Sequence, residues 1–399
     1  MMMSQTLSSQ TESRVQWLLE QMQTHNGLAP VDIEKFWEAD AKAKRDSFAS
    51  DCPQVPCGVM MSTEAVWDEL GIEENWQRQN DDTAYRVDLN RQYNDLSEKI
   101  VGKRLLNESL PEPSRQYPKV KKLSDIFEAK EEWHIWSYWL KQSADTPDEL
   151  EALLDRVERR LENLRAFVLP ENWETEKERL MAMGIKPNLY RGQRGPVTFA
   201  TSIFGTENLL FLIMDQPELA QRFRDVILRA MLGLAEVMDQ EAGWTTDCDW
   251  GRGFGFADDN CALLTPDMYE LFGYPILEAI FERYAPRPTD QRFQHSDSDM
   301  GHLLPILGRL NFTGVNFGPN IRVRHIREYM PKAVINGTLA PFTLSRDHHE
   351  GIVREAMRDF DEAREDKGLV FATAGSINNG SRLTGMRLIM SAIQHFGQY

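Results

Sequence analysis

The feature that most constrains this chain is an alternation that becomes regular after Gly253. Short apolar runs near 253–257, 291–295, 313–317, 333–337 and 369–374 read as strands. Helical patterns near 266–284, 300–310, 321–330, 346–366 and 382–396 follow them one for one. Five β-then-α units in succession call for parallel strands and right-handed crossovers. A doubly wound sheet meets that count too. The closed barrel is favoured because no glycine-rich dinucleotide turn follows any strand. The run Gly251-Arg252-Gly253-Phe254-Gly255-Phe256 has the wrong spacing and opens no helix. The expected class is α/β, a distorted (β/α)8 TIM barrel over 55–399 with a helical N-terminal extension over 1–54.

In such a barrel the strand C-termini share one mouth, and polar residues there carry the chemistry. Each late strand ends in groups that bond or ionise: Asp258, Asp259 and Asn260; His295 with Asp297 and Asp299; Asn316; Asn336 and Thr338; Ser376, Asn378 and Asn379. The bland alternative is that these residues cap the helices that follow. It suits Asp299 and Asn320 and fits Asp258 poorly, because Thr265 makes the better cap. Adjacent strand residues face opposite ways, so one of Asp258 and Asp259 is expected to aim inward.

His295 has three readings. It can be an acid/base oriented by Asp297, a structural histidine, or one edge of a metal site. Arg382, in the first turn of the last helix, is placed to aid an anion that also meets free N–H groups, or it stands as a solvated arginine. Arg191 and Arg194 precede the run VTFATS (197–202), which reads as a strand, and are expected toward the barrel bottom. Glu207 and Asn208 follow it and sit better for substrate. His348 and His349 read as surface, and Trp250 as wall.

Elsewhere, residues 1–14 read as disordered and 15–50 as helices. Val55–Met61 reads as the first strand, 111–119 as a loop, and Thr146-Pro147 as a helix start. The aromatic run with Phe127, Trp133, Trp136, Tyr138 and Trp139 reads as core or interface packing. A net charge of −17 argues against nucleic acid and anionic membranes as partners. No run of about eighteen apolar residues spans a membrane. Four cysteines without metal or redox spacing, behind no apolar signal core, lead to the expectation of a reduced, cytoplasmic protein.

The pieces GPVTFATSIFGTENLLFLIMDQPEL, FADDNCALLTPDMYELFGYPIL, QHSDSDMGHLLPIL, VINGTL and FATAGSINNGS, in this order over 195–399, resemble the uroporphyrinogen decarboxylase superfamily. That superfamily includes the decarboxylase and the corrinoid-linked methyltransferases. The resemblance implies a distorted barrel with its site at the C-terminal mouth. It also implies a small-molecule substrate and pairing into a homodimer, and no nucleotide cofactor is expected. Methyl transfer with a corrinoid protein as partner, or with a divalent metal, is the first reading. A decarboxylase or lyase on a carboxylated substrate and a non-catalytic ligand-binding barrel are the others.

The departures from the superfamily pattern narrow this. The arginine-rich segment that holds substrate carboxylates in the decarboxylases has no counterpart; CGVMMSTEAVWDELG stands in its place. Ala374-Gly375-Ser376 replaces a Gly-His-Gly. Where the zinc methyltransferases carry His-x-Cys and a later Cys, this chain has His295, Asp297 and, at about the last position, Gly375. Any metal would then rest on His295 and Asp297. The catalytic candidates are His295, Asp259, Asp258 and Asp297. Those for binding substrate are Asn260, Asn316, Asn336, Thr338, Ser376, Asn378, Asn208 and Arg382.

Overall fold

A computed structural model describes residues 9–244 and 252–399. Trp250 and Cys248 lie outside the described residues. Among the described residues, eight strands run in chain order: β1 (Lys130–His134), β2 (Ser137–Lys141), β3 (Gly192–Arg194), β4 (Phe254–Ala257), β5 (Arg292–Ser296), β6 (Gly314–Phe317), β7 (Val334–Leu339) and β8 (Leu369–Thr373). The first two form an antiparallel hairpin. The other six make one sheet in the order β3-β4-β5-β6-β7-β8. The registered pairs β3–β4, β4–β5, β6–β7 and β7–β8 are all parallel. The fold is therefore α/β with the strand order expected of successive β/α units. All five late strands and the helices after them lie where the alternation put them, to within a few residues.

Two compact units divide the chain. One holds residues 1–110, 296–299 and 314–399, the other 111–295 and 300–313. In the first, the helix Ser9–Thr24 packs on the helices His349–Ala363 and Leu383–Phe396. Val15, Leu18 and Met22 are buried, the Thr11 hydroxyl reaches Asp361 at 3.1 Å, and Trp17 meets Phe396 edge-on. Residues 9–14, expected to be disordered, are helical because this packing reaches to Thr11. Val55–Met61 is not a full strand. It touches β8 through an isolated parallel bridge, Cys57 to Phe371, with Gly58 N–H donating to the Phe371 carbonyl at 2.7 Å.

In the second unit VTFATS is helical, inside the helix Pro196–Phe204. Val197, Phe199, Ala200, Thr201, Ile203 and Phe204 are all buried, so neither strand nor helix periodicity shows. Pro196 takes the first helical position, where its missing N–H costs nothing. The strand at this point is the short β3 just before it. Phe127 is buried, but Trp136 and Trp139 are 60% and 58% exposed, alongside exposed Ile135 and Tyr138. Among the described residues, no single helix is long and apolar enough to cross a membrane.

Candidate functional site

The two faces of β3–β5 differ in what covers them. Phe254 and Phe256 of β4 pack on Tyr284 and Phe281 of the helix Tyr274–Tyr284, and Arg292 of β5 lies over Phe281. That is the helix-covered face, and Gln294, the register partner of Phe256, is fully buried on it. The opposite face carries Gly192 and Arg194 of β3, Gly255 and Ala257 of β4, and Phe293 and His295 of β5. Three of these six have little or no side chain, which leaves the others accessible.

Asp258 and Asp259 part company at the end of β4, as the pleat requires. Asp258 is fully buried. Its Oδ1 accepts the Thr198 N–H at 2.8 Å, so it caps the helix Pro196–Phe204 from sixty residues away. Its Oδ2 has no hydrogen-bond partner among the described residues. Burial pushes this carboxyl up to about 6, against the opposing effect of the helix N–H groups. Gly195 is glycine because a Cβ there would overlap the side chain of Asp258.

Asp259 is half-exposed and turns to β5, its Oδ1 3.8 Å from His295 Nε2. Asp297, two residues beyond His295, is exposed. One ligand atom from each of Asp259, His295 and Asp297 lies within 4.8 Å of the other two, a grouping that can hold a metal ion. Asn260 is bound back to the capped helix: its N–H donates to Thr198 Oγ1 at 2.9 Å and its amide to Thr201 Oγ1 at 2.6 Å.

Arg191 and Arg194, expected together at the bottom, lie at opposite ends of β3. Arg191 precedes the strand, pairs with Asp239 at 2.6 Å and stacks on Tyr284. Arg194 ends it, in register with Ala257, and donates to Ser202 Oγ at 2.9 Å. Asn208 is a structural clip. Its amide donates to the Asp145 and Phe204 carbonyls at 3.0 and 2.8 Å.

The remaining candidates belong to the first unit. The Asn316 amide donates to the Asn336 and Thr373 carbonyls, and its Oδ1 accepts the Gly375 N–H at 3.2 Å. It ties the ends of β6, β7 and β8 together. The Asn336 amide donates to the Val315 carbonyl at 3.3 Å. Thr338 was expected to face substrate, yet it is fully buried, and its hydroxyl and N–H both donate to Asp359 Oδ2 at 2.9 and 3.0 Å. Asp359 belongs to the helix His349–Ala363, outside the strand.

Ser376 is exposed and Asn378 half-buried in the loop after β8. The anion site expected beside Arg382 is filled by the protein's own groups. Asp68 Oδ2 accepts the Gly380 N–H at 2.6 Å and Glu69 Oε2 the Leu383 N–H at 2.9 Å, while Arg382 donates to the Asp68 carbonyl. Two carboxylates already satisfy the N–H groups an external anion would need.

Thr198, Thr201, Ser202, Asp68 and Glu69 were not singled out from the sequence. The signal for the first three was Gly195-Pro196, a helix start. For the last two there was none, because their partners lie more than three hundred residues away.

These observations define an α/β protein of successive parallel β/α units with an ionisable cluster at the strand C-termini. A sequence model of the uroporphyrinogen decarboxylase (URO-D) family matches residues 188–396, just over half the chain, and the chain belongs to that family. Among solved structures it is similar to a methyltransferase from Methanosarcina mazei, with a TM-score of 0.54 at 17% identity, over 91% of this chain and 98% of that one. Comparison with curated proteins finds no match.

Proposed function

We propose that this chain is an enzyme acting on a small molecule at the strand C-termini, and that it transfers a methyl group, with a corrinoid-bound or similar methyl donor. The approach of Asp259 and His295, on a face where glycine and alanine hold three of six strand positions, carries the reading. A solvent-accessible imidazole can take the proton of an acceptor S–H, N–H or O–H as that acceptor becomes the nucleophile. Asp259 then stabilises the imidazolium, and Asp297 stands ready beside it. The likeness to a methyltransferase favours methyl transfer, and family membership fits an enzyme of methyltransferase or decarboxylase type.

The donor set also fits a divalent cation. One imidazole and two carboxylates suit a borderline or hard metal, held by His295, Asp259 and Asp297. Such an ion would supply Lewis-acid activation of the acceptor. A carboxy-lyase reading has one observation in its favour, the exposed guanidinium of Arg194. It lacks the cluster of cations such substrates need, because Arg191 and Arg382 are engaged elsewhere.

The test is metal content and methylcobalamin spectra of the purified protein beside His295→Ala and Asp259→Asn. Bound metal lost in both variants, with a cobalamin spectral change in wild type only, is the expected result. Neither metal nor any cobalamin response in wild type, across thiol, amine and hydroxyl acceptors, would sink the proposal.

A further inference from the structure

The geometry points to Arg194 as an anion-recognition residue: the substrate of this site carries a carboxylate, sulfonate or phosphate that the guanidinium holds. This rests on the reading that the β3–β5 face is the substrate site, and adds the chemical class of its ligand.

Three observations carry it. Arg194, Ala257 and His295 are successive register partners across β3, β4 and β5, so their side chains leave the sheet on the same face. Two strand spacings separate the outer pair by about 10 Å at Cα. The residue between them is alanine, so nothing bulky stands in that row. An anion at Arg194 and a reacting atom near His295 are then a small molecule's length apart.

The second observation is what Arg194 does not meet. In this unit Arg191, Arg222 and Arg229 each pair with a carboxylate. Among the described residues, the one hydrogen bond of Arg194 goes to the neutral hydroxyl of Ser202. That hydroxyl donates in turn to the Thr198 carbonyl at 2.7 Å, which fixes it as an acceptor toward Arg194. One of five guanidinium N–H donors is thus anchored, and the rest of the fork is available in a held orientation.

The third is exposure. Arg194 is solvent-accessible at the C-terminal end of its strand, the end from which ligands enter such folds. A chain of net charge −17 repels anions at long range, so binding one here calls for a local cation.

The experiment uses the full chain and defined probes: propionate, methanesulfonate and inorganic phosphate, with propionamide as the neutral control, followed by saturation-transfer NMR and calorimetry. At least one anion should bind wild type where propionamide does not. Arg194→Gln should weaken that binding about tenfold or more, the loss of a charge-assisted pair. Arg194→Lys, which keeps the charge without the fork, should fall between and serves if the glutamine variant fails to fold. Arg309→Gln, an exposed arginine paired with Glu270, should bind as wild type. No anion binding to wild type, or equal binding by wild type and Arg194→Gln, would overturn the assignment. So would equal losses in Arg194→Gln and Arg309→Gln. Metal and methyl-transfer activity are not read in this assay, so anion binding without methyl transfer would sink the reaction and keep Arg194, and the reverse would do the opposite.

Discussion

Asp258→Asn isolates a buried charge next to the candidate site. The Asp258 carboxyl is fully buried and raised from 3.8 to about 6, with burial the largest cause. Two effects compete. The Thr198 N–H and the helix N-terminus favour the carboxylate, while loss of water disfavours it, and the upward shift says that desolvation wins. A folded value above the unfolded one means that Asp258 supports the fold fully below about pH 4. That support is lost as pH rises through about 6. About two pKa units correspond to about 3 kcal/mol between those limits. Asparagine keeps the Oδ1 acceptor for Thr198 and cannot ionise. Its amide nitrogen replaces an oxygen that has no hydrogen-bond partner among the described residues, and an unmade bond there is a penalty of about 1–3 kcal/mol that does not vary with pH. The absolute difference at one pH is therefore ambiguous, and the slope decides. Urea unfolding of both proteins from pH 4.5 to 8 cancels every other titration. The variant should gain about 2 kcal/mol relative to wild type across that range. A flat difference, or one that falls with pH, would refute the desolvation argument.

Gly195→Ala should lower stability by about 1–3 kcal/mol in thermal melts, because its Cβ overlaps Asp258, whose backbone N–H is held by the His295 carbonyl at 2.9 Å. Thr338→Val should cost about 1–3 kcal/mol in urea unfolding while leaving propionate binding unchanged, because its hydroxyl serves the buried Asp359. Arg382→Gln should likewise leave anion affinity unchanged by calorimetry, since Asp68 and Glu69 occupy the helix end. Trp139→Ser, on the exposed hairpin, should shift the unfolding midpoint by no more than about 0.5 kcal/mol, whereas Phe127→Ala should cost about 3–5 kcal/mol.

What was legible in the sequence follows from where each residue's partners lie. The late strands and helices were placed from local pattern alone, because turns and caps there are made by chain neighbours: Thr265 caps its own helix at Met268, and Pro266 opens it. The helix Pro196–Phe204 was misread because burial on all sides removes the period that tells helix from strand. Asp258, Thr338 and Arg382 were misjudged for another reason. Each is bound to a group on a different element, at Thr198, Asp359 and Asp68, and no spacing in a single chain reveals that. Asp259 and His295 escape this confusion because they end adjacent strands, and strand ends meet by topology.

The same topology explains why so open a face survives in a folded chain. A row that reads Arg194, Ala257, His295, above a row of Gly192, Gly255 and Phe293, carries one large apolar side chain where a packed interior would carry several. The helix-covered face compensates with Phe254, Phe256 and Phe281. A carboxylate, Asp297, stands two residues beyond His295. Oxygen donors hold a hard cation better and a soft one worse. A strand end that only filled a core had no use for the exposed carboxylate of Asp297 or for alanine between arginine and histidine. Both choices are accounted for together if the face takes a substrate with an anionic end over β3 and a reacting end over β5.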